Sequence, residues 1–250
     1  MSTAGADKFR AVGHVVLRQF FDPVPLTAEL DRALGEGISP TQPAQRFAAG
    51  SGTVSLLYVP MMCERTPVSL DLAGALTSAA EKLLQRRVLP GRAKGTRYFG
   101  DTSWHRDSEL DIASVGCIAY LDRVTAATGA LQILPFSHIN RTVKLPDVGW
   151  RRAVAIDSSP GDVIFFDEHL VHGSSGGLER RQWRTDFVID PAGSEITAAQ
   201  KWFAQSLPDE RRDVGYDARL YPSYGEYWRS RHTAWAARLV DLGILDQLAG

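Results

Sequence analysis

Cysteine is nearly absent from this chain: Cys63 and Cys117 are the two among 250 residues. A pair so far apart in sequence builds neither a four-thiolate zinc site nor a disulfide framework, and two reduced thiols in a cytoplasmic protein are the expectation. No run of 18 apolar residues occurs, so no membrane-spanning helix is expected. Nor does charge of one sign dominate. The 28 Lys and Arg stand against 29 Asp and Glu, a formal net charge of −1, which leaves no basic footprint for nucleic acid or an anionic membrane. The opening residues, MSTAGAD, lack the basic start and apolar run of a signal peptide. Lysine is scarce, confined to Lys8, Lys82, Lys94, Lys144 and Lys201. Such an arginine bias is common where a bacterial genome is rich in GC.

What remains is an ordinary globular composition, 44% hydrophobic and 23% charged, enough for one domain over residues 1–250 with a sizeable core. Val12–Phe21 is β-branched and apolar and reads as a strand, and Leu26–Leu34 carries a short helical stripe. Gly35–Gly52, rich in Gly, Pro, Ser and Gln, reads as a long loop; its Gln42, Gln45 and Arg46 suit a polar lid. Thr66-Pro67 opens a helix whose stripe runs from Leu70 to Leu84, and Leu89-Pro90-Gly91 ends it. Strand signals follow at Ala93–Phe99, Ala113–Leu121, Ala130–Leu134, Arg152–Ile156, Asp162–Phe166 and Arg184–Ile189, with turn residues between them. From Thr197 onward the pattern is helical again, ending in Arg229–Leu248. Short strands at this spacing predict an all-β core over about residues 88–190, a sandwich or barrel, with helices outside it at about 25–87 and 197–250.

The sharpest local feature is Trp104-His105-Arg106-Asp107. Residues two apart on a strand project from one face, so His105 and Asp107 can aim an imidazole and a carboxylate at one point. His172 follows the apolar run Val163–Phe166 and supplies a second imidazole. Two histidines and a carboxylate on one face of an octahedron leave three positions open, an arrangement suited to iron(II) and O₂ chemistry. A single His-X-Asp match arises easily by chance, however. His138 and His169 compete as ligands, and the spacing of His169 from His172 puts the two on opposite faces of a strand. His14 and His232 have no carboxylate two residues away and read as surface or packing residues.

Three further segments lift the match above chance. Thr128-Gly-Ala-Leu-Gln-Ile-Leu-Pro-Phe-Ser-His138, Ser159-Pro-Gly-Asp-Val-Ile-Phe-Phe-Asp167 and Leu170-Val-His-Gly-Ser174 resemble, in order and spacing, three motifs of the phytanoyl-CoA dioxygenase family. The resemblance runs over roughly residues 9–190. It departs from the usual pattern at Thr128, where asparagine is common, and at Phe136, where glycine is. It implies a double-stranded β-helix, a cupin-like jelly roll of two facing sheets. It also implies an Fe(II)- and 2-oxoglutarate-dependent dioxygenase with O₂ as the second cosubstrate, and makes His105, Asp107 and His172 the metal ligands and catalytic centre.

The same resemblance calls for a cation on the strand after His172 to hold the distal carboxylate of 2-oxoglutarate, a role suited to the planar fork of arginine. Arg180, Arg181 and Arg184 are candidates. Arg184 fits best, because it begins the apolar strand while Arg180 and Arg181 fall in the polar stretch Gly176–Gln182. Ser174 resembles the hydroxyl that assists the same carboxylate. Lys94, Thr96 and Tyr98 share one strand face and are further cosubstrate-binding candidates, with a solvent-facing Lys94 the alternative. Trp104 reads as packing beside the site. The expected partner is a small-molecule substrate bound by a monomer or homodimer. A bacterial natural product, with sugar-containing antibiotics as one candidate class, is preferred over an acyl-CoA or carrier-bound chain. A non-catalytic small-molecule-binding jelly roll is the reading from another class.

Overall fold

The computed structural model describes residues 3–38, 45–49, 52–141, 153–177, 179–206 and 215–245. One strand shows why the layers form as they do. Along β12 (Arg180–Ile189) the residues alternate between two environments. Trp183 and Phe187 are fully buried in the larger apolar cluster, which includes Leu70, Leu76 and Leu83 of helix α3 (Pro67–Leu84), and the Trp183 indole donates to Ser69 Oγ at 2.7 Å. Arg180, Gln182, Arg184 and Asp186 face the other way. The polar residues of this strand therefore point into the space between two sheets, and its aromatic residues point at helices.

The remaining elements, in chain order, are α1 (Thr3–Val12), β1 (His14–Leu17), α2 (Pro23–Gly37), β2 (Gln45–Ala49), β3 (Gly52–Pro60), β4 (Val88–Pro90), β5 (Lys94–Phe99), β6 (Thr102–His105), β7 (Ser114–Tyr120), β8 (Gln132–Ile133), β9 (Val154–Ala155), β10 (Val163–Asp167) and β11 (His172–Ser174). After β12 come α4 (Glu195–Ser206), α5 (Glu226–Arg231) and α6 (Thr233–Asp241). Among the described residues, eight strands form one sheet in the order β1-β10-β7-β12-β5-β3-β2, with β4 also paired to β12. Four form the facing sheet, β6-β11-β8-β9. Every pairing is antiparallel. This is the expected all-β jelly roll with flanking helices.

Between the sheets lies a smaller apolar cluster that includes Ile118, Leu131, Ile133, Ile164 and Phe166. Gly116 makes room there. A Cβ at this position would come within 2.4 Å of the Phe166 ring, so the absence of a side chain lets that ring sit 4.8 Å from the His172 imidazole.

Several expectations need correction. The Val12–Phe21 strand is only His14–Leu17, and a helix precedes it. Within Gly35–Gly52, α2 runs on to Gly37 and Gln45–Ala49 pairs with β3 instead of looping; Gln42 lies outside the described residues. The residues after α3 are not merely its stop: Val88–Pro90 pairs with Phe187–Ile189. The C-terminal stretch Arg229–Leu248 is two helices parted at His232, and its last residues, like Arg152, lie outside the described ones. Thr66 precedes α3 but makes no side-chain cap. The carboxylate of Glu29 does that from α2, accepting from the backbone N–H groups of Val68 and Ser69 at 2.9 and 2.8 Å.

Candidate metal centre

β6 and β11 pair with His105 directly opposite His172. That register brings the two imidazoles to a centroid separation of 4.2 Å, tilted by 53°, and the chain leaving β6 brings Asp107 beside both. That segment is held by backbone bonds, Asp107 and Ser108 N–H both donating to the Glu168 carbonyl. One ligand atom from each of His105, Asp107 and His172 lies within 4.8 Å of the other two. His105 Nε2 is 3.4 Å from Asp107 Oδ1, and His172 Nε2 is 3.5 Å from Oδ2.

Both rings are oriented by the same device. His105 Nδ1 lies 2.8 Å from the Ser103 carbonyl and His172 Nδ1 lies 2.8 Å from the Leu170 carbonyl. A carbonyl only accepts, so each Nδ1 carries the proton and each Nε2 turns a lone pair toward the common point. Burial pulls His172 down to about 4, so it is neutral at ordinary pH. Burial also works against a charged His105, but the Asp107 carboxylate outweighs it and raises His105 above its usual value. Burial alone would raise the Asp107 carboxyl. Arg184 and the two imidazoles prevail and hold it well below the usual carboxylate range. Two imidazole nitrogens and an anionic oxygen converging from adjacent strands fit a divalent iron.

The competing histidines are otherwise engaged. His169 Nδ1 is 3.0 Å from Asp167 Oδ1 and its Nε2 is 2.7 Å from the Leu110 carbonyl, while His138 Nε2 meets the Arg10 carbonyl at 3.1 Å.

A cavity opens beside the two imidazoles, lined on its far side by Tyr98, Tyr120, Ser174 and Arg180. Here the arginine expectation needs correction. β12 begins at Arg180, four residues before the apolar stretch at Arg184, so Arg180 is a buried strand residue and not part of a loop. Its guanidinium donates to Ser174 Oγ at 2.6 Å and to the Gly100 carbonyl at 2.9 Å, and lies 5.3 Å from the centroid of the Tyr98 ring. Arg184 also touches this cavity, but its fork is committed to carboxylates, Nη2 to Asp107 Oδ2 at 2.7 Å and Nε to Asp186 Oδ1 at 2.8 Å. Arg181 faces outward to Asp122 and Asp31. Of the β5 candidates, Tyr98 lines the cavity with Arg180. Thr96 donates its hydroxyl to the Gln182 carbonyl at 3.0 Å, and Lys94 lines a different cavity on the Asp107 side.

Sequence reasoning passed over Gln182, Tyr120 and Glu168. The first was legible: Arg180, Gln182, Arg184 and Asp186 alternate with apolar or outward residues, a period of two that extends the strand backward. Glu168, one residue outside a strand, carried no such signal. Buried beside Asp186 and Asp107, it is pushed up to about 8, and it accepts from the Trp202 indole at 2.5 Å.

The departures from the family motifs are absorbed locally. Thr128 Oγ1 accepts from Thr125 N–H at 2.9 Å, closing the turn. Phe136, where glycine is usual, takes φ of 66°, the left-handed region that glycine adopts without strain.

The fold has solved counterparts. EvdO2 from Micromonospora carbonacea var. aurantiaca superposes with a TM-score of 0.61 at 20% identity, covering 77% of this chain and 92% of that one. SnoN, an alpha-ketoglutarate-dependent epimerase from nogalamycin biosynthesis, gives 0.58 at 18% identity over 74% and 80%. EctD from S. alaskensis with bound Fe gives 0.59 at 19% identity over 76% and 77%. No curated protein matches the sequence. Residues 9–181, more than half the chain, match the phytanoyl-CoA dioxygenase family, and the protein belongs to that family of non-haem iron(II)- and 2-oxoglutarate-dependent dioxygenases.

Proposed function

We propose that this enzyme oxidises a small molecule in the tailoring of a bacterial natural product, with His105, Asp107 and His172 as its iron ligands and Arg180 with Ser174 as its 2-oxoglutarate clamp. The observation that carries the reading is the shared cavity: the two imidazoles that converge with Asp107 line it, and so does a buried guanidinium paired with a hydroxyl. A diacid bound with its keto-acid end at the metal must place its second carboxylate within reach of a cation, and Arg180 is the one oriented by Ser174.

When bound, iron(II) supplies the activation of O₂, so that R–H, 2-oxoglutarate and O₂ give R–OH, succinate and CO₂; in a desaturation or ring closure two substrate hydrogens leave with the second oxygen atom as water. The chain's residues set up that exchange. His105 and His172 present lone pairs because their Nδ1 protons are held by Ser103 and Leu170. Tyr98, Tyr120, Ile118 and Leu131 wall the cosubstrate cavity against water, which strengthens the charge pairing inside it. The natural-product setting draws support from SnoN, named for nogalamycin biosynthesis. With Cys63 and Cys117 both free and buried, a cytoplasmic location is the proposal that suits the thiols.

The test is anaerobic titration of the purified protein with iron(II) and 2-oxoglutarate, followed by admission of O₂. A charge-transfer absorption band and O₂-dependent succinate are expected. A protein that binds 2-oxoglutarate without producing succinate would instead be the non-catalytic jelly roll.

A further inference from the structure

Gln182 is a buried polar residue whose side chain has no duty inside the protein. It is 4% exposed and stands on the inward face of β12, midway between Arg180 and Arg184, with Thr96 beside it on β5 and Tyr120 beside it on β7. Its main-chain carbonyl is used, accepting the Thr96 hydroxyl. Its side-chain amide has no hydrogen-bond partner among the described residues, and it lines the cavity that both imidazoles line. A primary amide carries two donors and an acceptor, and burying them unmet is destabilising. An apolar residue of similar size would fill the same place without that cost. An inward amide without a protein partner points to a ligand.

Its neighbours narrow down which part of a ligand it meets. The clamp end of the cavity is provided for. Arg180 donates to Ser174 Oγ, Tyr120 is hydrogen-bonded to Arg180, and Tyr98 stands opposite Arg180 with its ring beside the guanidinium. The imidazole end is short of donors. His105 and His172 turn their N–H groups to carbonyls, Arg184 gives Nη2 to Asp107 and Nε to Asp186, and Ile118 and Leu131 have none to offer. A keto acid brought to that end carries a carboxylate, and an anion taken out of water needs donors in exchange. Alternate residues of a strand are about 7 Å apart, so Gln182 stands one such step from Arg180 toward Arg184 and the imidazoles. A neutral donor suits this place: a cation would be repelled by both arginines, and a carboxylate would repel the ligand.

We propose that the Gln182 amide donates to the carboxylate at the keto-acid end of 2-oxoglutarate, recognising the 2-oxo acid independently of the distal carboxylate. This rests on the reading of His105, Asp107 and His172 as the metal ligands and of Arg180 as the clamp.

The test is anaerobic titration of iron(II)-loaded protein, followed through the charge-transfer band, with two ligands. One is 2-oxoglutarate; the other is 2-oxopentanoate, which has a methyl group in place of the distal carboxylate. Gln182→Leu and Gln182→Ala remove the donors and differ in bulk, so one serves if the other folds poorly. Each should raise both dissociation constants at least about tenfold, the loss of one hydrogen bond to a charged group. Iron affinity without a keto acid should stay as in the wild type, which a merely structural role would not ensure. Arg180→Ala should weaken 2-oxoglutarate and leave 2-oxopentanoate nearly unchanged. A 2-oxopentanoate constant unmoved in the Gln182 variants would overturn the proposal, and an effect on 2-oxoglutarate alone would do the same by placing the amide at the distal carboxylate. Failure of the underlying reading looks different: wild-type protein that gives no band with iron(II) and 2-oxoglutarate.

Discussion

Arg184 Nη2 sits 2.7 Å from Asp107 Oδ2, and its Nε reaches Asp186 at 2.8 Å, so one buried guanidinium ties a carboxylate of the candidate metal centre to the neighbouring sheet. The pair leaves Asp107 Oδ1 on the His105 side and fixes the plane of the carboxylate before any metal arrives. Arg180, four residues earlier on the same strand face, is bound instead to a hydroxyl and a carbonyl. Two arginines on one strand thus have different duties.

Their variants should separate cleanly. Arg180→Ala removes the cation proposed to hold 2-oxoglutarate, at a cost of about 2–5 kcal/mol for a desolvated carboxylate left without its partner. The KM for 2-oxoglutarate should rise at least about thirtyfold, with iron affinity nearly unchanged. Arg184→Ala leaves Asp107, Asp186 and Glu168 clustered without their cation, a loss of about 3–5 kcal/mol in the metal-free protein. Thermal denaturation with and without iron, beside 2-oxoglutarate kinetics, reads both. A KM effect confined to Arg184→Ala would return the clamp to that residue.

Iron affinity should depend on pH through His105. Its proton must leave before Nε2 can donate, and Asp107 raises its pKa above 6.5. Affinity should therefore be flat above that raised pKa and fall about tenfold for each pH unit below it, one proton being displaced per iron. His172, already down at about 4, adds a second proton only in stronger acid, and Asp107, held lower than usual, adds none in this range. Anaerobic competition against a chelator of known affinity measures the slope. Two protons per iron near pH 6 would show that His172 is not held neutral.

Glu168 gives the metal-free protein an alkaline weakness. Its carboxyl titrates at about 8 in the folded chain against an ordinary 4.5, so the folded state binds the extra proton. Stability is then fully present below the ordinary value and is lost as pH rises through about 8. Glu168→Gln keeps an acceptor for the Trp202 indole and removes the titration. Between about pH 6 and 9 the wild type should lose several degrees of Tm, and the variant distinctly less. Equal slopes in the two proteins would place the alkaline sensitivity elsewhere.

The candidate metal cluster was legible because its signal is local: a period-two pair, His105 and Asp107, and a histidine after an apolar strand. The β7 and β10 strands were legible for the same reason, through runs of apolar and β-branched residues. The beginning of β12 is legible only through its period of two, because its inward face carries Arg180 and Gln182 and its outward face Arg181, and hydrophobicity is silent where a strand lines a polar cavity. Glu168 was hidden for a further reason. Its neighbours Asp186, Asp107 and Trp202 come from three other segments, and only the packing of α4 against the barrel end brings them together. The β2–β3 pairing was obscured by Gly, Pro and Gln around it, a composition that favours loops unless a sheet edge is available to extend.

The last prediction turns on the carboxylate itself. Were His105, Asp107 and His172 to hold an octahedral iron, three positions would be left, enough for a bidentate 2-oxoglutarate and O₂. No position remains for a halide, so the wild-type product made in chloride-rich buffer should be hydroxylated, desaturated or cyclised and carry no chlorine isotope pattern. Asp107→Ala changes the arithmetic. It opens a fourth position and leaves the Arg184 guanidinium, formerly 2.7 Å from Oδ2, facing the space the carboxylate filled. A small anion placed there would meet both the metal and a buried cation, regaining part of the charge balance that the substitution removes. Iron affinity in Asp107→Ala should accordingly be weak without chloride and recover as chloride is added, whereas the wild type should be indifferent apart from ordinary ionic-strength effects. Replacing chloride with a bulky anion such as gluconate at equal ionic strength separates the two. If chloride and gluconate act alike on Asp107→Ala, Arg184 does not guard that position in the metal-loaded enzyme.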